Sequence, residues 1–229
     1  MVQERLGEEQ GRLWVERAVA ALDAVFPDGD FETWPTCNRL VAHVQAALGW
    51  IERWQLISNQ ASRLLNDAGV YFRERGQYRA AEPLYRRALA IYEQALGPTH
   101  PKTATSLNNL ASLLQDQGDL AGAEPLCRRA LAIREQALGP THPDTATSLN
   151  NLAFLLKAKG DLAGAEPLYR RALAICEQVL GPTYPDTAMS LNNLASLLED
   201  QGDLAGAEEL RKRAGSSTDD SGNTRSASV

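Results

Sequence analysis

The sequence predicts an all-α protein built as a solenoid of stacked helical hairpins, and an internal duplication is the main reason. Residues 105–146 and 147–188 are identical at 34 of 42 positions. A weaker copy precedes them at 61–104, and a truncated copy follows at 189–214. A fixed period in this range is typical of solenoids, in which each repeat packs against its neighbours. Such folds present long surfaces, so the period favours binding over catalysis.

Each repeat is predicted to form two helices, A and B, separated by a glycine. In the third repeat, Pro143 suits the first turn of helix A, because the N–H that proline lacks would be unpaired there in any case. Gly160 ends this helix and Asp161 caps helix B, which runs to Gly181. The same glycines recur in the other repeats.

Helix A of the third repeat has one apolar stripe and one mostly polar face. A helical period of 3.6 residues places the stripe against helix B and leaves the polar face away from it. The stripe consists of Leu149, Leu152, Ala153 and Leu156, and the opposite face of Thr147, Asn150, Asn151, Phe154, Lys157 and Ala158.

Two segments flank the repeats. Residues 1–60 hold all four tryptophans and predict a small helical N-terminal cap. Trp50 and Trp54, four residues apart on one helix, are expected to seal the first repeat against the N-terminal helices. The Asp-Gly-Asp at 28–30 lacks the other ligands of a calcium loop and is interpreted as a turn. Residues 215–229 have no large apolar side chain before the final valine, so they are predicted to be disordered.

Composition excludes several functional classes. A net charge of −6 and a pI near 5.2 argue against a general nucleic-acid-binding protein. Three cysteines are too few and too scattered for a disulfide framework, and their odd number fits a reducing compartment. The sequence contains neither a membrane-length apolar run nor the apolar core of a secretory signal. We expect a cytoplasmic protein with no cofactor and no metal, and with neither nucleic acid nor membrane as a partner.

The residues that most often carry catalysis occupy packing or linker positions. His100 and His142 are equivalent linker residues, and Tyr184 replaces them in the next linker. Cys127 stands where the first and third repeats have tyrosine, and Cys176 stands at a similarly variable position. The sequence therefore predicts no catalytic residue, and we expect a protein that is not an enzyme.

The repeats resemble the tetratricopeptide repeat in its 42-residue, kinesin-light-chain-like form. The resemblance covers residues 61–214 and implies a right-handed α-α superhelix. It also implies that the A helices line a concave face on which an extended peptide lies. In the third repeat it is carried by the phrase LNNLA, the linker type GPTHPDTA, and Leu149, Leu152, Ala153, Leu156, Gly160, Ala165, Tyr169 and Ala172.

The resemblance implies a peptide-binding site on the A helices. Asn109, Asn151 and Asn193, with Asp67 in the first repeat, would bond the peptide main chain, since a carboxamide both donates and accepts. The alternative is that this ladder is structural and holds neighbouring helices together. We hypothesise an acidic peptide stretch near the first repeat and an apolar side chain near the third. The whole predicted site is Arg63, Asn66, Asp67, Arg73, Asn108, Asn109, Ser112, Asn150, Asn151, Phe154, Lys157, Asn192 and Asn193.

Residues 12–60 resemble the segment that joins a nucleotide-binding module to such repeats in bacterial signalling NTPases of the STAND, or NB-ARC, type. The sequence lacks the phosphate loop GxxxxGK[ST], so no nucleotide hydrolysis is assigned. The chain is then a natural short protein, the product of a broken gene or an excised fragment.

Three hypotheses for function remain open. The first is a non-enzymatic scaffold that binds a protein or an extended peptide of unknown identity. The second is a ligand-sensing, autoinhibitory fragment of an NTPase switch, and the third is an accessory module of an enzyme. At the C-terminal end, either the short last helix caps the array or apolar surface stays open and allows weak self-association.

Overall fold

The computed structural model describes residues 2–27 and 33–223, which form ten helices and no strand. The predicted turn at 28–30 lies outside the described residues. The chain divides into two compact units, residues 1–117 and 118–229, called here the first and second unit. The helices of the first unit are α1 (Val2–Val25), α2 (Trp34–Arg53), α3 (Asn59–Glu74), α4 (Tyr78–Leu96) and α5 (Pro101–Asp116). Those of the second unit are α6 (Leu120–Leu138), α7 (Pro143–Ala158), α8 (Leu162–Val179), α9 (Pro185–Gln201) and α10 (Leu204–Asn223).

The helix boundaries of the repeats confirm the predicted punctuation. Helix α7 begins at Pro143, and α8 begins after Asp161, whose Oδ1 accepts the N–H of Gly164 at 2.9 Å. Gly160 between them has φ +84°, in the left-handed region that a residue with a Cβ avoids. The equivalent glycines of the other repeats and linkers also have positive φ: Gly76, Gly97, Gly118, Gly139, Gly181 and Gly202.

In the first unit, α1 and α2 form the predicted N-terminal cap on the first repeat. Tyr71 of α3 is 1% exposed. The rings of Phe26 and Trp34 meet it edge-on, at centroid distances of 6.5 and 6.4 Å. Edge-to-face aromatic contacts of this kind add to the stabilisation from burial alone. The cap is therefore joined to the repeat through Trp34 rather than through the tryptophans at the end of α2.

Trp50 and Trp54 do not share the role predicted for them. Helix α2 ends at Arg53 and Trp54 is its C-cap, so the two side chains no longer follow one helical face. The ring of Trp54 lies against α1 at Gly11, where an added Cβ would be 2.8 Å from the ring. Trp50 stays 44% exposed. The prediction that Trp50 seals the first repeat is wrong.

In the second unit, the predicted stripe of α7 is buried. Leu149, Leu152, Ala153 and Leu156 are all 6% exposed or less. Leu149 lies in a cluster with Ala172, Ile175 and Cys176 of α8. The 3.6-residue period of the apolar stripe therefore correctly predicted which side of helix A meets helix B.

The end of the chain differs from its prediction. Helix α10 continues past Ala214 to Asn223, so residues 215–223 are helical where an irregular tail was expected. No proline occurs after Ala214 to stop the helix, and polar composition alone does not end one. Residues 224–229 lie outside the described residues. Ala207, Leu210 and Ala214 of α10 are buried.

Candidate binding face

The predicted site lies on the A helices. We call the side that carries Asn109, Asn151 and Asn193 the A-helix face. The first unit contributes α3 and α5 to it, and the second unit contributes α7 and α9. The faces of the two units are described separately.

Arg63, at the start of the face in the first unit, is engaged by the N-terminal cap. Its Nε donates to Asp23 Oδ1 of α1 at 2.7 Å, and its Nη2 bonds the other carboxylate oxygen. The carboxylate side chain of Asp23 is only 2% exposed. Removing Arg63 would leave a buried, unpaired charge, which is strongly unfavourable. The structure therefore gives Arg63 a role in holding α1 to α3.

Further along the first unit, polar side chains join α3 to α5. Arg73 Nε lies 2.6 Å from Asp116 Oδ2. Asn109 Nδ2 donates to Asn66 Oδ1 at 2.8 Å, and Asn66 Nδ2 donates to Asp67 at 3.3 Å. In this unit the asparagines therefore join neighbouring A helices, which is the contact that the structural alternative expects. Ser112, one turn beyond Asn109, is half-buried.

The second unit repeats the ionic contact with a lysine. Lys157 Nζ of α7 lies 3.0 Å from Asp200 Oδ2 of α9. It also donates to the backbone oxygen and hydroxyl of Ser196, at 3.0 and 2.7 Å. In both units a cation near the end of one A helix binds an aspartate 43 residues later. Both cations belong to the predicted site, and each is already paired with a carboxylate.

The two asparagines of each LNNLA phrase face different surroundings. Asn108 and Asn150 are 4% and 5% exposed, so they are not the open site residues that the sequence predicted. Consecutive helical residues differ by about 100°, which turns one of each pair toward a neighbouring helix. Asn150 Nδ2 donates to Ser190 Oγ of α9 at 3.1 Å. Asn192, at the equivalent position of α9, is exposed.

An aromatic side chain remains open on the A-helix face of the second unit. Phe154 is 55% exposed, whereas the equivalent residues of the neighbouring repeats are serines. Asn151 on α7 and Asn193 on α9 are half-buried. Met189, at the start of α9, is 46% exposed and is not among the predicted site residues. Its signal was present, because Met189 replaces a threonine that both preceding repeats carry.

The cysteines and linker histidines serve packing and capping. All three cysteines are buried and free. Burial raises the pKa of the Cys127 thiol to about 11, which keeps it protonated at neutral pH. The imidazole Nδ1 of His100 and that of His142 each accept a backbone N–H at 3.1 Å, at the starts of α5 and α7. The histidines therefore cap helices, which the predicted linker-packing role did not specify.

Neither a metal-binding cluster nor a membrane-spanning helix occurs in the described part of the chain. Across 2–27 and 33–223, no three His, Cys, Asp or Glu side chains are grouped so that they could hold a metal ion. In the same residues, no helix combines the length and the apolar character that a membrane-spanning segment needs.

Comparison with known families identifies the repeats. The family model described as tetratricopeptide repeat matches residues 60–121, 102–178 and 144–214, well over half of the chain. The chain belongs to the tetratricopeptide repeat family. Repeats of this family generally mediate protein–protein interactions, so the chain is an interaction module of that kind. A search of the curated proteins gave no match.

Solved tetratricopeptide structures share the fold. A structure described as a Podosopora anserina kinesin light chain with nearly identical TPR-like repeats is 22% identical, with a TM-score of 0.62. The match covers 84% of this chain and 96% of the chain in that structure. A second structure, of a point variant of that protein, is 22% identical with a TM-score of 0.63. The match covers 83% of this chain and 94% of the variant's chain. BtubC (BKLC) from P. vanneervenii is 24% identical with a TM-score of 0.62, covering 90% and 74%.

These likenesses confirm the predicted fold class, an all-α tetratricopeptide solenoid of the kinesin-light-chain-like kind. The family match begins at residue 60, so the resemblance of residues 12–60 to an NB-ARC linker stays a prediction.

Proposed function

We propose that this tetratricopeptide protein is a non-enzymatic scaffold that binds an extended peptide of a partner protein on the A-helix face of its second unit. The observation that carries the proposal is the exposed Phe154. An aromatic side chain in water at a position where related repeats have serine gains nothing for the fold, but it can anchor a ligand.

The neighbours of Phe154 suit an extended peptide. Asn151 lies one turn before it on α7, and Asn193 stands at the same repeat position on α9. Each carboxamide can donate to a peptide carbonyl and accept from a peptide N–H. Such contacts give affinity with little sequence choice, whereas an apolar pocket around the ring would select a side chain.

The acidic stretch expected in the ligand has weaker support. Arg63, Arg73 and Lys157 each bind a carboxylate of the protein itself. An acidic peptide would have to displace those carboxylates, one of which is buried. We therefore propose a ligand defined by an apolar anchor and an extended main chain.

The test is selection from a display library of random peptides on the full chain, followed by titration of the selected peptides. Phe154→Ser restores the residue of the neighbouring repeats, so the fold is expected to persist. We expect this change to weaken binding about tenfold or more, as for a buried aromatic anchor. Ala174→Ser, at an exposed position of α8, is the matched control and should change nothing. Equal binding by wild type and Phe154→Ser would refute the proposal.

Self-association through the C-terminal end has less support from the structure. The described exposed side chains of α10 are mostly charged, with Leu204 as an apolar exception at its start; the charged ones include Glu208, Glu209, Arg211, Lys212 and Arg213. A charged outer face is what a solenoid needs at its end. We propose that α10 acts as the cap.

A further inference from the structure

A small apolar notch lies in the first unit, between α1 and α2. It has a volume of about 240 Å³ and is lined by Trp14, Val15, Ala18 and Trp50. Trp14 is 67% exposed and Trp50 is 44% exposed. Contiguous exposed apolar surface of this kind is often a site of interaction. The A-helix face lies on other helices, so the notch is a second surface.

One arginine borders this notch, and a second lies one turn beyond Trp50 on α2. The Arg17 guanidinium lies 5.7 Å from the centre of the Trp14 ring. Arg53 follows Trp50 by three residues, one turn along α2, and lies 5.9 Å from the Trp54 ring. In the part of the chain that the structure describes, neither arginine forms an ion pair. This sets them apart from Arg63, Arg73 and Lys157, and it is unexpected in a chain with a net charge of −6.

The size of the notch limits what can occupy it. A volume of about 240 Å³ is below the ~300–1,000 Å³ of small-molecule pockets, but it has room for one large side chain. From ~250 Å² for a whole tryptophan, the exposed parts of both rings offer on the order of 300 Å². A stable dimer interface needs about 800 Å² from each partner. The area therefore favours one anchoring side chain over a second copy of this chain.

We propose that the notch binds a segment of a partner protein that inserts one leucine or aromatic side chain between Trp14 and Trp50. Aspartate or glutamate residues beside that anchor pair with Arg17 and Arg53. Apolar contact supplies the affinity, and the two guanidinium groups select for acidic flanks because like charge would be repelled. This inference does not depend on the proposed function, since it uses different residues on different helices.

The test uses the full chain and the same display library, with Trp14→Ala as the variant for counter-selection. Trp14 is mostly exposed, so its removal should leave the fold intact, which a thermal melt followed by circular dichroism will verify. Peptides retained by wild type but not by Trp14→Ala should carry one leucine or aromatic residue closely flanked by Asp or Glu. Their Kd should rise about tenfold or more with Trp50→Ala. It should rise several-fold with Arg17→Glu and with added salt.

Phe154→Ser is the matched control for this surface. It should leave binding of the notch peptides unchanged, and Trp14→Ala should leave binding of the A-helix-face peptides unchanged. The two proposals can thus fail separately.

Four results would each overturn the notch proposal. One is that no peptide distinguishes wild type from Trp14→Ala, and another is that the distinguishing peptides are basic. The third is a dimer in sedimentation that Trp14→Ala dissociates, which would make a second copy the occupant. The fourth is binding to phosphatidylserine vesicles that Trp14→Ala abolishes, which would make the notch a membrane contact.

Discussion

At the scale of single residues, helix caps separate the first repeat from the others. Asp119, Asp161 and Asp203 each accept a backbone N–H three residues later, at 2.8 to 3.0 Å. Gln77 holds the same place before α4 but makes no such bond. Its φ and ψ, −88° and 55°, are close to the −82° and 70° of Asp119. The backbone angles of the first repeat therefore suit an aspartate, but Ala80 stands where the other repeats have glycine, and a Cβ added at Gly122 would collide with Asp119 Oδ2.

We predict that Gln77→Asp stabilises the protein by at most about 1 kcal/mol, because it adds the missing side-chain cap but its carboxylate must shift away from the Cβ of Ala80. Asp161→Ala should cost about the same amount in the third repeat, where an existing cap is lost. Urea denaturation followed by circular dichroism measures both changes. An unchanged midpoint for Gln77→Asp would mean that the N-terminus of α4 is already satisfied, for example by water.

A second prediction at this scale concerns the thiols. Burial raises the pKa of Cys37 and Cys176 as well as that of Cys127. A raised pKa leaves less thiolate at any given pH, so reaction with DTNB at mildly alkaline pH should be very slow in the folded protein. All three thiols should react at once in urea. Rapid modification of one thiol in the native protein would show that its site opens readily.

At the scale of helices, one ion pair in each unit joins neighbouring A helices. Lys157 and Asp200 hold α7 beside α9, as Arg73 and Asp116 hold α3 beside α5. We predict that Lys157→Glu and Asp200→Lys each destabilise the protein by about 0.5–1 kcal/mol. The double variant should recover most of that loss, since it restores opposite charges.

The matched control for this prediction is the exposed pair Glu208–Lys212 of α10. Its partners are 70% and 67% exposed, so exchanging them should have little effect. Denaturation of the variants at low and high salt completes the double-mutant cycle. No recovery in the swapped Lys157/Asp200 variant would show that the Ser196 contacts of the lysine hold the helices together.

The helices themselves could be predicted from the sequence more fully than the site. Pro143, Gly160 and Asp161 mark boundaries through local backbone chemistry, which a single repeat contains. The burial of Asn150 and the pairing of Lys157 depend on α9. The apolar period within a single helix contains no information about that neighbouring helix. Within the predicted face, Phe154 is therefore exposed, whereas Asn108 and Asn150 are buried.

At the scale of the whole molecule, the two ends of the chain are finished differently. The N-terminal cap is tied to the repeats by the Arg63–Asp23 pair and leaves an apolar notch open. The last helix instead presents charged side chains, and two of them, Arg211 and Arg213, pair with glutamates of α9 and α8. An end-on contact with another copy would have to desolvate those charges.

We therefore predict a monomer in light scattering at neutral pH, with a mass near 24.9 kDa that stays constant as concentration rises. Replacing Glu208 and Lys212 by leucine would create apolar surface on α10 and should introduce concentration-dependent association. Association of the wild type that is unaffected by changes in α10 would place the contact elsewhere. Loss of that association in Trp14→Ala would then place it at the notch.

The position of Asn192 bears on how gene duplication can lengthen the repeat array. Asn150 and Asn192 occupy the same place in successive repeats. Asn150 donates to Ser190 of the next A helix, α9, whereas Asn192 on α9 is exposed. A gene duplication that copied residues 147–188 in tandem would give each new asparagine a serine partner without any further mutation. Recombination within this near-identical tract can then lengthen or shorten the array by whole repeats, and natural variants should differ in steps of 42 residues.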